Sequence, residues 1–297
     1  MRSFVIIGRS EDPCCQLVNE RLTTLRHRAL FLDESRLFPG LRFGWELVDG
    51  KSLGFIGPEG QTVTFAGTDG VLARFSGFPV TKEEFQTPDG QYLCSEWHAL
   101  LRGYLHALPC PVINRVRPEL WYKPFLSSAE LVSFAPGLKF KVPRTLVTTR
   151  LEEAEAFFED CGKRVSYSPL TIPSKYPIET ATDLKKLGTL SNVVPFHLRE
   201  VISGDALNAY VVGEEVIWDF AGDRIKPPSA IQEHCVEIAA SLGLTFCEFH
   251  LVKPDRDEWY CFGIACMPDL FRCEEQTQNT IAGQLADALL SGVLATA

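Results

Sequence analysis

Hydrophobic and polar positions follow two different periods along the first hundred residues. An apolar run at residues 3–8 precedes Asp12-Pro13, an amphipathic stretch to about residue 26 and a second apolar run at residues 29–32. Because Asp before Pro is typical of a helix start, this order predicts strand, capped helix and strand, the beginning of a parallel α/β layer. Residues 41–78 alternate instead, with Gly-containing turns, and predict hairpins.

Helical spacing returns further along the chain, in short units that alternate with strands. A helix is predicted over residues 94–107, and Pro109 and Pro111 end it before a strand at 112–114. The remaining predicted elements are strand 146–149, helix 151–160, strand 164–167, an antiparallel pair formed by strands 193–202 and 208–218, helix 230–242, strands 244–252 and 259–265, and helix 280–294. The last helix carries apolar residues at helical spacing and is expected to cover a sheet.

Composition narrows the function classes. The formal net charge of −9 and the pI near 5.3 argue against a role in binding nucleic acid, which requires clustered Lys and Arg. No stretch approaches the ~20 consecutive apolar residues of a membrane-spanning helix, and the first apolar run is too short for a secretion signal. These features predict a cytoplasmic globular protein.

Ten cysteines are spread irregularly along the chain. Without a secretion signal, they are interpreted as reduced thiols, and the absence of a CxxC pair argues against a structural zinc site. Cys14 and Cys15 open the first predicted helix, where they are either small buried residues or thiolates stabilised by the helix dipole. A cysteine-based enzyme lacks a supporting base, since His27 is the only histidine nearby in the sequence.

Several segments resemble, in order and spacing, motifs of the ATP-grasp superfamily. The similar segments are Ile113-Asn114-Arg115 (Asn-Arg-Pro), Lys123-Pro124-Phe125 (Lys-Pro-Tyr), Val142-Pro143-Arg144-Thr145 (Val-Pro-x-Thr), Arg199-Glu200-Val201-Ile202-Ser203-Gly204 (the hinge motif Gln-Glu-Tyr-Val-Pro-Gly) and Val211-Val212-Gly213-Glu214 (Val-Val-Gly-Asp). The resemblance covers about residues 112–297 and is strongest to ribosomal-protein glutamate ligases and to ligases that cyclise microviridin-type peptides.

This resemblance implies a mixed α/β and α+β fold in three parts. Residues 1–112 are expected to form an N-terminal Rossmann-like lobe that precedes the ATP-grasp core. Residues 113–192 are expected to form a small central α/β lobe, and residues 193–297 a C-terminal lobe with an antiparallel sheet. ATP-grasp ligases phosphorylate a carboxylate for attack by an amine or hydroxyl, and magnesium neutralises the phosphate charge during that step.

The residues that relatives use for this chemistry are missing here. In the register of the resemblance, the magnesium-binding Asp, Glu and Asn are replaced by His250, Gly263 and Ala265, whose side chains offer no carboxylate or amide oxygen. A phosphate-contacting lysine is replaced by Ser168, and an arginine by Asn208. Unneutralised phosphate charge in a cleft costs several kcal/mol, so magnesium-dependent catalysis is not expected; Glu248 or Asp269 could compensate for one loss.

Some features of the family's nucleotide site are retained. Lys123 and the hinge residues Glu200, Val201 and Ile202 could still contact a nucleotide, so weak binding of ATP or ADP without magnesium is an open possibility. The alternatives are a solvated lysine and an exposed strand carboxylate. A zinc or copper site is a further alternative, built from the softer ligands around the vacated positions, Cys247, His250, Cys261, Cys266 and Cys273; strand alternation separates these side chains and favours core thiols.

Two functions are therefore predicted. The first is a catalytically degenerate ATP-grasp protein that binds a peptide, a protein or a small-molecule carboxylate, as accessory partner of an active ATP-grasp enzyme or as a homodimer. The alternative is an active ATP-dependent carboxylate-amine ligase that uses substitute residues. Neither function involves nucleic acid or a membrane.

Overall fold

A computed structural model of the protein describes residues 1–34, 41–75, 86–115, 117–121, 123–135, 137, 139–170, 175–189, 194–220, 227–255 and 258–292. The strands are β1 Ser3–Gly8, β2 Arg28–Asp33, β3 Leu41–Val48, β4 Lys51–Pro58, β5 Val63–Thr64, β6 Gly70–Ala73, β7 Val112–Ile113, β8 Phe125–Ser127, β9 Thr145–Thr148, β10 Val165–Ser168, β11 Tyr176–Ile178, β12 Phe196–Glu200, β13 Asp205–Val212, β14 Glu215–Phe220, β15 Phe246–Lys253 and β16 Tyr260–Ala265. The helices are α1 Pro13–Thr24, α2 Pro88–Ala107, α3 Ser128–Phe134, α4 Leu151–Asp160, α5 Ala181–Gly188, α6 Ser229–Ser241 and α7 Glu275–Ser291. None of these helices has the length and apolar character needed to cross a membrane.

The N-terminal lobe is built on a parallel sheet with strand order β2-β1-β6-β7. Asp12 caps α1 by accepting a hydrogen bond from the backbone N–H of Cys14 at 2.9 Å, and Pro13 occupies the first turn. This local order confirms the predicted strand, helix and strand. The second helix begins at Pro88, earlier than predicted, because Thr87 caps it through the N–H of Gly90.

The predicted hairpins are confirmed only in part. β3 and β4 form a hairpin whose turn places Asp49 and Gly50 at positive φ, and β5 extends it to a three-stranded sheet. Beyond Gly70, however, the chain enters β6 and joins the parallel sheet. Alternation of apolar residues identifies a strand but does not fix its partner, which is why this segment was wrongly predicted as part of a hairpin.

Two antiparallel sheets follow. The central sheet has the order β11-β10-β12-β9, and the C-terminal sheet has the order β14-β13-β15-β16-β8. The predicted pairing of strands 193–202 and 208–218 is wrong: β12 pairs with β9 and β10, whereas β13 pairs with β14 and β15. The two strands belong to different sheets, and residues 201–204 carry the chain from one sheet to the other.

Sheet membership also crosses the predicted lobe boundaries, because β8 joins the C-terminal sheet and β12 the central one. The boundaries near residues 112 and 192 stay predictions. The C-terminal helix α7 lies where the sequence places it: Ile281, Leu285 and Leu289 are fully buried in one core with Phe4 of β1 and Phe246 of β15. Val293, expected on the same side, lies outside the described residues.

Candidate functional site

The central sheet turns one face toward the C-terminal sheet, and the region between these two sheets is called the cleft below. The outer face of the central sheet is covered by α4 and α5, which leaves the opposite face, with His197 and Arg199 of β12, turned toward the C-terminal sheet. The Arg199 guanidinium spans the cleft, since Nη1 donates to the carbonyl of Phe262 on β16 at 3.1 Å. The two sheets therefore touch through side chains as well as through residues 201–204.

The cleft-facing row of the C-terminal sheet contains the positions where the sequence places the lost magnesium ligands. His250 pairs with Gly263 and with Asn208 on the adjacent strands, and Glu248 pairs with Ala265. Residues opposite one another in an antiparallel pair lie on the same face, so these five residues share one face. The alternate residues Cys247, Phe249 and Leu251 of β15 point into the core on the other side. The structure thus brings His250, Gly263, Ala265 and Asn208 together.

These residues do not fit a magnesium ion. Magnesium prefers oxygen ligands in a near-octahedral arrangement, whereas the three positions offer an imidazole, a hydrogen atom and a methyl group. The space is also filled, because a Cβ atom on Gly263 would lie 2.1 Å from Cζ of Phe125. The Phe125 ring stands edge-on to the His250 ring, with centroids 5.3 Å apart. An aromatic side chain therefore occupies the volume into which a carboxylate at position 263 would project.

Glu248 and Asp219 are acidic groups on this face, since Asp219 of β14 pairs with Asn208, and Glu248 is buried. Its carboxylate accepts a hydrogen bond from the Tyr210 hydroxyl at 3.0 Å and lies 3.6 Å from Nε2 of His250. The Cys273 thiol donates to the Tyr210 oxygen at 3.1 Å. On β14, burial and the nearby carboxylates of Glu274 and Glu248 raise the pKa of Asp219. Asp269, the other proposed substitute, caps a short 3-10 helix through the N–H of Phe271 instead.

Positive charge on the central sheet sits on Arg199 rather than at position 168. Ser168 is buried, and its hydroxyl accepts a hydrogen bond from Nη2 of Arg199 at 3.0 Å. The Arg199 guanidinium also lies 5.6 Å from the centroid of the Phe262 ring, and so does the ammonium group of Lys175. Sequence reasoning did not identify Arg199 as a site residue; its signal was the arginine at the first position of the hinge motif, where the family pattern has glutamine.

His197 lies beside Arg199 in a fully buried position. Burial and the charge of Arg199 lower the pKa of His197 to about 4, so the imidazole is neutral at pH 7. Its Nε2 atom is buried without a hydrogen-bond partner. His197 is a second cleft residue that sequence reasoning missed, since a single histidine within an apolar strand carries no distinctive pattern.

The retained positions belong to separate segments, since Lys123 precedes β8 and the hinge residues end and follow β12. Lys123 is partly exposed, forms an ion pair with Glu130 and lies 5.5 Å from the Phe134 ring centroid. In the hinge, the N–H of Glu200 donates to the Arg144 carbonyl at 2.9 Å, and the N–H of Val201 donates to the Arg164 carbonyl at 2.9 Å. Ile202 follows at intermediate exposure. These contacts fix the hinge in place; a nucleotide role for Lys123, Glu200, Val201 and Ile202 stays a prediction.

A cavity of about 200 Å³ opens next to Lys123. It lies at the carboxyl ends of β6 and β7, the edge of a parallel sheet where ligands commonly bind. The described lining contains no Asp or Glu, although the whole chain is acidic; its basic members are Arg74, His98, Arg102 and Lys123. Burial and the neighbouring Arg102 lower the pKa of His98.

The cysteines form no metal site in the part of the chain that the structure describes. Cys247, Cys261 and Cys266 share the core of the C-terminal sheet, and burial raises the pKa of Cys261 and Cys266 to about 12. An unbroken strand would place Cys261 and Cys266 on opposite faces, but a register shift between His250 and Leu251 leaves Phe262 as an extra residue, and both cysteines lie in one core. His250 lies on the other face, so the zinc or copper alternative is not supported.

The paired thiols at the start of α1 are also buried. Cys14 and Cys15 are fully inaccessible to solvent, and burial raises the pKa of Cys14 to about 12 and that of Cys15 further. The desolvation of a thiolate here outweighs the helix dipole. Of the two interpretations of this pair, small buried residues at a helix start is the one that the structure supports.

Comparison with solved structures gives matches over nearly the whole chain. The macrocyclase MdnC of Microcystis aeruginosa MRC, bound with precursor peptide MdnA, is 16% identical over 97% of this chain and 99% of its own, with a TM-score of 0.80. A RiPP-associated ATP-grasp ligase of Chryseobacterium gregarium, in complex with ADP and a leader and core peptide, is 17% identical over 98% and 97%, with a TM-score of 0.77. The ATP-grasp ligase PsnB, complexed with minimal precursor, Mg and ADP, is 22% identical over 98% and 97%, with a TM-score of 0.76. No protein-family model and no curated protein matches the sequence.

Proposed function

We propose that this chain, which has the ATP-grasp fold that its sequence predicts, binds a peptide or another carboxylate-bearing substrate and does not act as a magnesium-dependent ligase. In this role it serves as an accessory protein to an active ligase. A ligase needs magnesium to neutralise the phosphates of bound ATP, and the cleft residues of this chain do not supply a site for it.

The observation that carries this proposal is the contact between Phe125 and Gly263. Loss of a ligand alone can be compensated by a neighbouring side chain. Here the vacated space is taken by an aromatic ring 2.1 Å from the position of a Cβ atom on Gly263, so a ligand cannot be accommodated without moving β8 or rotating the ring. Position 263 therefore lacks an oxygen ligand, and the Phe125 ring occupies the space that such a ligand would need.

Two findings support a carboxylate-bearing partner. The described lining of the cavity beside Lys123 contains basic side chains and no carboxylate, which favours an anionic ligand. Such a ligand would add to or replace the ion pairs that Arg74 and Lys123 form with Asp12 and Glu130. At about 200 Å³ it is smaller than the ~300–1,000 Å³ of pockets that hold drug-sized ligands, so it suits one side chain or a small acid. The structures of MdnC and of the Chryseobacterium ligase both contain peptides, and we propose peptide binding here by analogy.

Glu248 motivates the alternative, an active carboxylate-amine ligase with substitute residues. Its carboxylate lies on the cleft face between Tyr210 and His250, next to the vacated positions. One buried carboxylate provides at most two oxygen ligands, and one of these already accepts the Tyr210 hydroxyl. This alternative therefore requires further oxygen ligands, from Asp219 on the same face or from phosphate groups and water.

Calorimetric titration with ATP, in excess magnesium and again in EDTA, tests the proposal. PsnB, whose solved structure contains Mg and ADP, is the positive control. We expect this chain to show no magnesium-dependent increase in ATP affinity. Micromolar binding that requires magnesium, together with release of ADP on addition of an acidic peptide, would overturn the proposal and favour the active ligase.

A further inference from the structure

The cavity beside Lys123 contains a charged side chain that is buried and incompletely hydrogen-bonded. Arg74 lines the cavity and is only 7% exposed. Its Nε donates to the Asp12 carboxylate at 2.6 Å, and its Nη2 donates to the Pro268 carbonyl at 2.6 Å. Nη1 is buried and has no hydrogen-bond partner in the part of the chain that the structure describes. A buried N–H group without an acceptor is unfavourable, and a ligand in the cavity is placed to supply that acceptor.

Two neighbouring cations of the cavity have partners within the protein. Lys123 forms an ion pair with Glu130. Arg102 donates to the Trp121 carbonyl at 2.6 Å, and its guanidinium lies 5.3 Å from the centroid of the Trp121 ring. These two cations make the potential of the cavity more positive, whereas Arg74 also contributes a hydrogen-bond donor that needs an acceptor.

This set of donors favours a carboxylate over a phosphate group. Asn114 also lines the cavity, but its amide hydrogens are engaged by the backbone carbonyls of Phe246 and Cys266. The two oxygens of a carboxylate can be satisfied by Nη1 of Arg74 and one neighbouring cation. A phosphate group carries more charge and a third acceptor oxygen, and buried oxygens without donors are unfavourable.

The rest of the cavity wall suits an apolar group about as large as one aromatic ring. Its apolar members include Phe75, Ile113, Leu120, Trp121, Phe246 and Met267. Cζ of Arg74 lies 5.8 Å from the centroid of the Phe246 ring, so the charged and apolar parts of the wall adjoin. A cavity of about 150 Å³ is large enough to hold benzene, and this cavity measures about 200 Å³. A ring with a short acidic chain therefore matches both its volume and its chemistry.

We propose that this cavity binds a monocarboxylate attached to an aromatic or similarly sized apolar group, with the carboxylate against Arg74 and the apolar group against Trp121 and Phe246. The inference rests on the proposed function, since it names the carboxylate that the cavity accepts. Two sources offer this chemistry, a free aromatic acid and the C-terminus of a peptide that ends in an apolar residue. The side chain of an aspartate or glutamate lacks the apolar group and leaves the apolar wall uncovered.

Calorimetric titration of the full chain with 3-phenylpropionate tests the inference. We expect saturable binding with a dissociation constant of about 1 mM or lower. Three related probes should each bind about tenfold more weakly or worse: 3-phenylpropanamide, which lacks the charge, propionate, which lacks the ring, and phenyl phosphate, which carries the additional oxygen. A peptide that ends in phenylalanine, compared with its C-terminal amide, distinguishes the two sources. A free C-terminus that binds more tightly than 3-phenylpropionate assigns the peptide, and the reverse order assigns the free acid.

Two variants place the ligand in this cavity. Arg74→Met removes the cation and should weaken the binding of 3-phenylpropionate about tenfold or more. Because Arg74→Met also breaks the ion pair with Asp12, Ala73→Leu provides an independent test: it fills part of the cavity, leaves Arg74 in place and should weaken binding about tenfold. Arg150→Met and Ala181→Leu are the matched controls, since they make the same changes at exposed positions outside the cavity lining and should leave binding unchanged.

Circular dichroism establishes that every variant is folded. Absence of saturable binding of 3-phenylpropionate, tighter binding of phenyl phosphate, or an unchanged affinity in folded Ala73→Leu would each overturn the inference. A peptide that binds through acidic side chains, while 3-phenylpropionate does not bind, would overturn this inference and leave the proposed function intact. Magnesium-dependent binding of ATP is a separate result, which would overturn the proposed function alone.

Discussion

At the scale of single residues, the proposal that this chain is not a magnesium-dependent ligase rests on a few residues that pack together. Gly263 offers no side-chain ligand, and Phe125 of β8, a strand far away in the sequence, fills the space beside it. The sequence itself shows that positions 250, 263 and 265 carry no carboxylate or amide oxygen, and their identity as vacated magnesium positions stays a prediction. The position of the Phe125 ring was not, because it depends on the pairing of β8 with β16.

Gly263→Glu is expected to destabilise the protein by about 1–3 kcal/mol, because the new side chain overpacks against Phe125. Thermal unfolding should show a melting temperature lowered by several degrees. In a Phe125→Ala background, the cost of the same substitution should fall. Gly283→Ala on α7 is the control, since nothing lies within 4 Å of its Cβ position; equal losses at both glycines would contradict the packing argument.

His197 gives the fold a dependence on pH. Its pKa is about 4 in the folded protein against 6.5 for an ordinary histidine, so the unfolded chain binds the proton more strongly. The free energy of unfolding therefore has its full value above pH 6.5. It decreases as the pH falls from 6.5 toward 4, by about 3 kcal/mol at most. Urea unfolding across this range should show a smaller loss for His197→Gln than for the wild type. An equal pH dependence of the unfolding free energy in both proteins would show that groups other than His197 cause it.

At the scale of elements, the order of strands and helices was more predictable than their partners. The period-two pattern identified β12 and β13, and the turn residues at 203–204 suggested a hairpin between them. The chain instead changes sheets at residues 201–204, because β12 completes the core under α4 and α5 while β13 packs in the C-terminal core. The local sequence pattern does not predict which sheet each strand joins, because that depends on the helices against which the strand packs.

Arg199 connects the two sheets and should limit their relative motion. It is buried, and it donates to Ser168 on its own sheet and to the Phe262 carbonyl on the other. Arg199→Met keeps much of the apolar contact but removes both hydrogen bonds, so we expect stability to fall by about 1–3 kcal/mol. Hydrogen exchange should become faster in β12 and β16.

Arg150→Met is the control for this effect, since Arg150 is mostly exposed and pairs locally with Glu153 on α4. Unchanged exchange in β16 of the Arg199 variant would show that the connection between the sheets does not depend on this side chain.

At the scale of the whole molecule, the predicted ATP-grasp fold is confirmed by solved structures that match at least 97% of the chain. The motifs that carried the prediction lie in the hinge and in the strands around the cleft, where the fold constrains backbone geometry. The residues without such a motif, Arg199, His197 and Phe125, were missed because their roles arise only when the sheets pack together. If these residues pack as proposed, the described part of the cleft holds no site for a divalent ion.

Crystals grown with manganese and a nonhydrolysable ATP analogue test this claim most directly, because manganese replaces magnesium and is located by its anomalous scattering. We expect no anomalous peak between His250, Gly263 and Ala265, with the Phe125 ring still against Gly263. A manganese peak in that space, coordinated by Glu248 or any other side chain of the cleft, would contradict it.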